Sequence, residues 1–228
     1  KLSERMIRTF CVNMSTSGGQ SWTALSESIE DTVRITTRRI TDAGQPSGLI
    51  LGAVSTTFLP FSHEQVFDLL KNESRRSQIE ALSNGGSLHE IAHIANGSHP
   101  GNCISLFRIN GASSSSQNVE LMLQESCTDA SGSLVVYATM EVDYIQLVMS
   151  SEDPSSIPIL PLGFSILPLT TAPPPPHGGP SGGGGCLLTM GVQAHASTNP
   201  NAKLNLSSVS AVNNHISTVL HQINAAIV

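Results

Sequence analysis

A histidine–glutamate motif near the middle of the chain is the pattern most suggestive of chemistry. His89, Glu90 and His93 spell H-E-x-x-H, and His99 follows six residues later, where a third metal ligand could lie. On a helix, histidines at i and i+4 share one face and can bind one zinc ion, and the glutamate can act as general base on a zinc-bound water. The motif therefore indicates a metalloprotease if residues 88–96 are helical.

The surrounding sequence favours a strand for this segment. Turn-forming residues stand on both sides of residues 88–95, in "SNGG" and "NGSHPGN", and this is typical of a short strand. On a strand His89, Ile91 and His93 would share one face and Glu90 would lie on the other. The histidines would be about 13 Å apart, too far for one metal ion with bonds of about 2 Å. We therefore predict no metal site. No catalytic residue and no cofactor are expected either, because the sequence contains no G-x-S-x-G motif, no phosphate loop and no paired carboxylates at a useful spacing.

Composition and charge exclude several other classes of protein. The 228 residues fit one large domain or two small ones. A net charge of −6 argues against direct contact with DNA, which needs a basic surface. The basic stretches at 34–39 and 74–77 are short, and we interpret them as solvated faces. No apolar run is long enough to cross a membrane, so no membrane insertion is expected.

The four cysteines are widely scattered and form no C-x-x-C motif, so a zinc ribbon or a redox motif is not expected. Few cysteines in a chain of this length indicate a reduced, intracellular protein. Cys127 is interpreted as a packing residue rather than a nucleophile, because the sequence shows no histidine placed to activate it. The first residue is not methionine, so a fragment of a longer protein is expected.

Hydrophobic periodicity predicts the secondary structure. A helix is expected over residues 2–14, where apolar residues step by four. A second helix should begin at the S-x-x-Q capping box of Ser62 and Gln65, and the stretch "KNES" should interrupt it. The first two predicted strands should form a hairpin. Strands are expected at 32–40, 49–60, 88–95, 103–109, 119–126, 133–142 and 186–197.

The last third of the chain contains three further predicted features. Residues 157–169 are apolar with spaced prolines, which predicts a sheet edge or an irregular segment. Residues 170–185 are rich in proline and glycine, which predicts a flexible insert within the domain. A long C-terminal helix should follow, capped by Ser207 or Ser208. Its apolar stripe comprises Val209, Val212, Ile216, Val219, Ile223 and Ile227.

This order of elements predicts an α+β fold, with one curved antiparallel sheet wrapped around the C-terminal helix. A sheet that holds a helix in this way tends to leave an apolar space between the two layers, and such spaces are typical small-molecule sites. The alternative is an ordinary filled core. The candidate pocket-lining residues come from strand 133–142 and from the helix: Val136, Ala138, Met140, Val212, Ile216, Val219 and Leu220.

Several sequence blocks, in order, resemble a known family. They include "EIAHIANG", "GNCISLFRIN", "LQESCTDASGSLVVYA", "LPLGFSILP" and "AKLNLSSVSAVNNHISTVL". Together with the opening "RMIRTFCVNMSTSGGQSWTALS", they closely resemble the START-associated domain in the C-terminal region of plant class IV homeodomain–leucine zipper transcription factors. The chain departs from the family pattern at Ile79-Glu80, where Trp-Asp is usual, and at Leu162, where Ser is usual. His89 is not a histidine position of the family.

The resemblance implies both a fold and a function. Residues 1–228 are expected to form a single START-like domain with a helix-grip fold, in a nuclear protein whose DNA contacts lie outside this region. The implied function is non-enzymatic regulation, through dimerisation or partner binding beside a lipid-binding START domain. The expected partners are a second copy or other domains of the same transcription factor. The alternative function is a sensor of a lipid or small hydrophobic ligand, bound under the C-terminal helix.

Overall fold

The computed structural model describes residues 1–15, 20–27, 32–42, 45–76, 79, 86–110, 120–150, 153–169 and 184–227. Most of the proline- and glycine-rich insert predicted at 170–185 lies outside these residues. The helices are α1 (Leu2–Met14), α2 (His63–Lys71), α3 (Glu73–Arg76), α4 (Val142–Met149) and α5 (Leu206–Ile227).

Nine strands form one antiparallel sheet in the described part of the chain. They are β1 (Thr23–Ala24), β2 (Arg34–Ile40), β3 (Gly48–Leu59), β4 (Ser87–Ala95), β5 (Cys103–Asn110), β6 (Glu120–Asp129), β7 (Gly132–Glu141), β8 (Leu162–Pro168) and β9 (Cys186–Ser197). Their order across the sheet is β1-β2-β3-β9-β8-β7-β6-β5-β4. The predicted hairpin of β2 and β3 is confirmed, and β9 joins the early strands to the late ones.

The segment 157–169 is not at a sheet edge, so that part of the prediction is wrong. β8 lies between β7 and β9 and pairs with both. The prolines do not interrupt this pairing, because Pro158 and Pro161 precede the strand and Pro168 is its last residue. A proline at a strand end removes no donor from the middle of the ladder.

Capping explains where two of the helices begin. At α2 the predicted capping box is confirmed: the Gln65 backbone donates to Ser62 Oγ (3.3 Å), and the Ser62 backbone donates to Gln65 Oε1 (3.0 Å). At α5 the predicted serine cap is wrong. The Ser207 backbone N–H donates to Asn205 Oδ1 at 3.0 Å, so asparagine satisfies this free donor instead.

Helix α4 was not predicted, because the apolar alternation of β7 continues into it. Glu141 is the residue before α4, and Asp143 lies in its first turn. Acidic side chains at a helix N-terminus interact favourably with the helix dipole. This acidic pair therefore marks the start of the helix.

The sheet buries an apolar layer on each face. We call the face packed against α5 and α2 the α5 face, and the face packed against α1 and α4 the α1 face. The α5-face cluster includes Val66, Leu70, Val135, Phe164, Leu188, Ile216, Val219 and Ile223. The α1-face cluster includes Leu2, Met6, Phe10, Leu123, Val136, Ala138, Met140 and Ile145.

Helix α1 lies very close to the middle of the sheet at Gly191 of β9. A Cβ atom at this position would be 2.2 Å from Met14 Sδ and 2.9 Å from a ring carbon of Phe10. A side chain at this position would therefore displace the side chains of Met14 and Phe10, which pack against the glycine.

Candidate functional site

The structure divides the predicted pocket-lining residues between the two faces of the sheet. Val136, Ala138 and Met140 pack under α1. The four helix residues, Val212, Ile216, Val219 and Leu220, belong to the α5-face cluster or pack against it. The alternation of β7 is responsible, because its apolar even-numbered residues point away from α5 while Val135 points towards it. The two sets therefore do not line one common space.

The helix set lies in a densely covered layer. Ile216 and Val219 are fully buried, and Leu220 is almost so. Leu220 also borders an open cleft of about 410 Å³ between α5 and the end of β3, together with Thr57, Phe58, Leu59, Ser217, His221 and Asn224. A ligand site under α5 thus stays a prediction.

A buried arginine dominates the other half of the α5 face. Arg76 of α3 is only 3% exposed. Its guanidinium donates to Gln124 Oε1 and lies over the rings of Phe107 and Tyr137, at 5.8 and 5.3 Å from their centroids. Gln124 in turn donates to Lys71 O and to Ser126 Oγ, both at 3.2 Å. This polar group ties the α2–α3 turn to strands β5, β6 and β7.

The positive charge of Arg76 is surrounded mainly by neutral groups. Burial lowers the pKa of Arg76, while Tyr137 and Glu73 act in the opposite direction. Burial also raises the pKa of the Tyr137 hydroxyl, and the arginine partly offsets this. Two aromatic faces and an amide oxygen can stabilise a guanidinium without a carboxylate bonded to it.

The burial of Arg76 is not expected from the sequence, because the short basic stretch 74–77 is typical of a solvated face. That interpretation is wrong for Arg76. The spacing of Arg76 could have predicted its burial. Arg76 follows the buried Leu69 by seven residues, which is two helical turns, so both residues fall on the same side of a helical pattern that continues from α2.

The H-E-x-x-H segment is a strand, as predicted, so the helix that a zinc peptidase requires is absent from β4. The assignment of its faces, however, is wrong. A register shift between Glu90 and Ala92 leaves Ile91 unpaired, and one extra residue reverses the alternation beyond it. Glu90 and His93 consequently share a face, with Glu90 Oε1 2.9 Å from His93 Nδ1.

Ser105 completes a small polar group at this position. Its hydroxyl lies 3.4 Å from His93 Nδ1, the same ring nitrogen that contacts Glu90. Burial disfavours the ionised form of Glu90, but hydrogen bonds from Ser105 and His93 outweigh this effect and lower its pKa. A catalytic triad needs its acid and its nucleophile on opposite ring nitrogens, so this arrangement does not activate the serine.

These residues border a cleft of about 210 Å³ beside the α2–α3 turn. Its lining is mixed in charge: Lys71, Asn72, Glu73, Ser74, Glu90, His93, Cys103, Ser105 and Phe107. Among the residues that the structure describes, no group of three or more His, Cys, Asp or Glu side chains could hold a metal ion.

Cys127 is half-buried on β6. Burial raises the pKa of its thiol, and the nearby Glu125 adds to the effect. A thiol with a raised pKa is protonated and weakly nucleophilic at neutral pH.

The α1 face is left uncovered at one end, over β4 and β5. Ala92 pairs with Leu106 and Ile94 with Ile104, so these four side chains share a face and form what we call the β4–β5 surface. Leu106 pairs with the buried Leu123, which makes the surface continuous with the core under α1. Ile94 is 60% exposed.

The two ends of this surface carry opposite charges. Arg108, paired with His89 of β4, is exposed at one end. Glu125, paired with Ile104, lies at the other end and is largely buried, with 9% of its surface exposed. Glu125 Oε1 accepts from Asn96 Nδ2 at 3.1 Å, whereas its Oε2 has no hydrogen-bond partner among the residues that the structure describes.

Comparison with known proteins identifies the family. The profile of the "PDF2-like, C-terminal domain" family matches residues 1–228. The chain belongs to this family. This PDF2-like domain is 60% identical over 227 residues to homeobox-leucine zipper protein HDG5 of Arabidopsis thaliana. The match covers 100% of this chain and 27% of that protein. It is 59% identical over 261 residues to protein ROC3 of Oryza sativa, covering 100% and 30%.

These relatives are class IV homeodomain–leucine zipper transcription factors, as the sequence resemblance predicted. The PDF2-like domain spans less than a third of their length. Its fold is START-like: the crystal structure of human STARD10 matches 98% of this chain and 78% of its own, with a TM-score of 0.53 at 9% identity. The predicted α+β fold, with a curved antiparallel sheet and a long C-terminal helix, is therefore confirmed.

Proposed function

We propose that this domain is a non-enzymatic regulatory module of a nuclear plant transcription factor, and that it supports dimerisation by binding a second copy of itself through the β4–β5 surface. The observation that carries the proposal is the exposed apolar end of the α1 face, where Ile94 is 60% exposed beside a buried core. Apolar side chains of this kind, in a continuous patch, are typical of interaction sites.

The charges at the two ends favour a second copy as the partner. When two identical patches meet about a two-fold axis that runs perpendicular to β5, each end of one faces the opposite end of the other. Arg108 of one copy would then face Glu125 of the other. The distance from Ile104 to Arg108 is about 13 Å along β5, so the charges would flank the apolar contact.

The proposal is tested by light scattering of the domain over a concentration series. The wild type should associate as its concentration rises, and Ile94→Glu should weaken the association about tenfold or more, because a buried charge is strongly disfavoured. Leu206→Glu is the matched control. Leu206 is 78% exposed and lies at the start of α5, outside the β4–β5 surface. It should leave association unchanged.

Arg108→Glu should also weaken association, and a Glu125→Lys change added to it should restore part of the loss. A wild type that stays monomeric at every concentration would overturn the proposal. So would equal effects of Ile94→Glu and Leu206→Glu, since these would point to net charge alone.

The alternative function, a sensor of a lipid or small hydrophobic ligand, is favoured by the polar cluster around Arg76, which lies next to the apolar layer under α5. A ligand with a polar head and an apolar tail needs such a boundary. Native mass spectrometry after gentle purification would show a co-purifying ligand. Masses of the ligand-free chain alone, under every condition, would count against a sensor.

A further inference from the structure

A third cleft, on the α1 face, is lined by arginines. It has a volume of about 450 Å³ and lies between α1, the β2–β3 hairpin and the segment before β8. Its lining residues are Arg5, Arg8, Thr9, Val12, Asn13, Arg38, Gln45, Pro46, Ser155 and Ile159. Three of the eleven basic residues of an otherwise acidic chain thus meet at one cleft.

Arg38 is the centre of the cleft's polar network. It is partly buried, and its guanidinium donates to Gln193 Oε1. The buried Asn13 donates to the same oxygen at 2.9 Å, and Gln193 is itself held by donating to Pro161 O at 3.2 Å. These hydrogen bonds of Gln193 therefore hold the Arg38 side chain in position.

Arg5 and Arg8 approach the cleft from α1. Arg5 donates to the carbonyl oxygens of Pro154 and Ile157, which connects the helix to the segment before β8. Arg8 lies on the helix surface and pairs with Glu4 at 3.6 Å. Arg5 is thus held in place, whereas Arg8 can turn towards a ligand.

The local charge is incompletely balanced. None of the described lining residues carries a carboxylate. Asp153 interacts electrostatically with Arg5, but its carboxylate also accepts hydrogen bonds from the Ser155 backbone and hydroxyl, at 3.0 and 2.7 Å. Arg38 has no carboxylate within 4.0 Å among the residues that the structure describes.

A partly buried guanidinium without an acidic partner is costly, because burial disfavours the charged form. The pKa of Arg38 is lowered by burial alone. An anion in the cleft would relieve this cost, and the planar guanidinium has several N–H groups that match the oxygens of a phosphate.

We propose that this arginine cleft binds a phosphate monoester group of a small molecule or of a lipid headgroup. Arg38 and Arg8 would donate to the phosphate oxygens, and the Thr9 hydroxyl would supply a neutral donor. The volume of about 450 Å³ lies within the range of small-molecule sites. The site is separate from the β4–β5 surface and does not depend on the proposed dimer.

The test uses glycerol 3-phosphate as the soluble probe, with phosphatidylcholine vesicles with and without phosphatidic acid as the lipid probe. Calorimetry and vesicle co-sedimentation should show saturable binding by the domain. Arg38→Gln should weaken it about tenfold or more, because it removes a charge-assisted contact. Arg8→Gln should weaken it too, and this exposed position allows the test even if Arg38→Gln disturbs folding.

Arg39→Gln is the matched control. It is the same change at the neighbouring residue, whose side chain is exposed and donates to the carbonyl oxygens of Pro200 and Ala202, outside the cleft. Binding should be unchanged in this variant. Binding of phosphatidic acid vesicles alone, lost in Arg38→Gln and Arg8→Gln, would assign the phosphate to a lipid. Absence of binding to both probes, or equal losses in Arg38→Gln and Arg39→Gln, would overturn the proposal.

Discussion

At the scale of single residues, Arg76 shows how this fold accommodates a cation inside. Its guanidinium contacts two aromatic rings and one amide oxygen and fills space between α3 and the sheet. Long side chains of this type contribute packing as well as charge. Volume should therefore account for much of what Arg76 contributes to stability.

We predict that Arg76→Ala lowers the free energy of unfolding by about 3 kcal/mol, because it leaves a cavity and an unpaired Gln124 oxygen. Arg76→Met should cost less than half as much, since it keeps the volume and removes the cost of burying a charge. Urea unfolding followed by circular dichroism measures both. Equal losses would show that the polar contacts, rather than the volume, stabilise this region.

The bulge at Ile91 is also a residue-scale feature, and it determines what the histidine–glutamate motif becomes. One unpaired residue places Glu90 and His93 on the same face, whereas a regular strand would separate them. The strand was predictable from its flanking turns. The bulge was not, because it follows from how β4 fits against β5.

At the scale of elements, the packing of α1 against the sheet sets the geometry of the α1 face. Gly191 leaves room for Phe10 and Met14. α1 also carries Arg5, Arg8 and Asn13, so the position of the helix on the sheet determines the shape of the arginine cleft.

We predict that Gly191→Val lowers the free energy of unfolding by about 2 kcal/mol through overpacking and increases amide hydrogen exchange throughout α1. Met14→Ala removes the nearest clashing side chain, so the same glycine change should cost less in that background. Urea unfolding and hydrogen exchange measure the effects. An unchanged cost in the Met14→Ala background would mean that the two positions are not in contact.

At the scale of the whole molecule, one sheet carries two apolar layers. The layer under α5 joins strands from both ends of the sequence, since β3, β8 and β9 are neighbours. Loss of a side chain in this layer should therefore affect the entire sheet. Such a shared layer is what we expect if residues 1–228 form a single domain.

We predict that Ile216→Ala, at a fully buried position, lowers the free energy of unfolding by about 3 kcal/mol. The fluorescence of Trp22, the only tryptophan, and the far-ultraviolet circular dichroism should shift to the same lower urea midpoint. Two separate transitions, of which only one shifts, would contradict a single cooperative domain.

Local sequence patterns were sufficient to predict most helices and strands, the antiparallel hairpin, the α2 capping box, the α+β fold and the family. These follow from local periodicity, turn residues and quoted sequence blocks. The sequence did not determine α4, the cap at Asn205 or the interior position of β8. Where an apolar alternation continues into a helix, or where several residues could cap, local pattern alone is ambiguous.

Which side chains contact each other depends on the packing of the folded chain. That packing placed Val136, Ala138 and Met140 under α1 and Ile216 under α5, because successive strand residues point to opposite faces and both faces of this sheet are covered. It buried Arg76 and brought Arg5, Arg8 and Arg38 to one cleft. Such groupings join residues far apart in sequence, and their geometry depends on register, bulges and the close approach of α1 at Gly191, which no local pattern encodes.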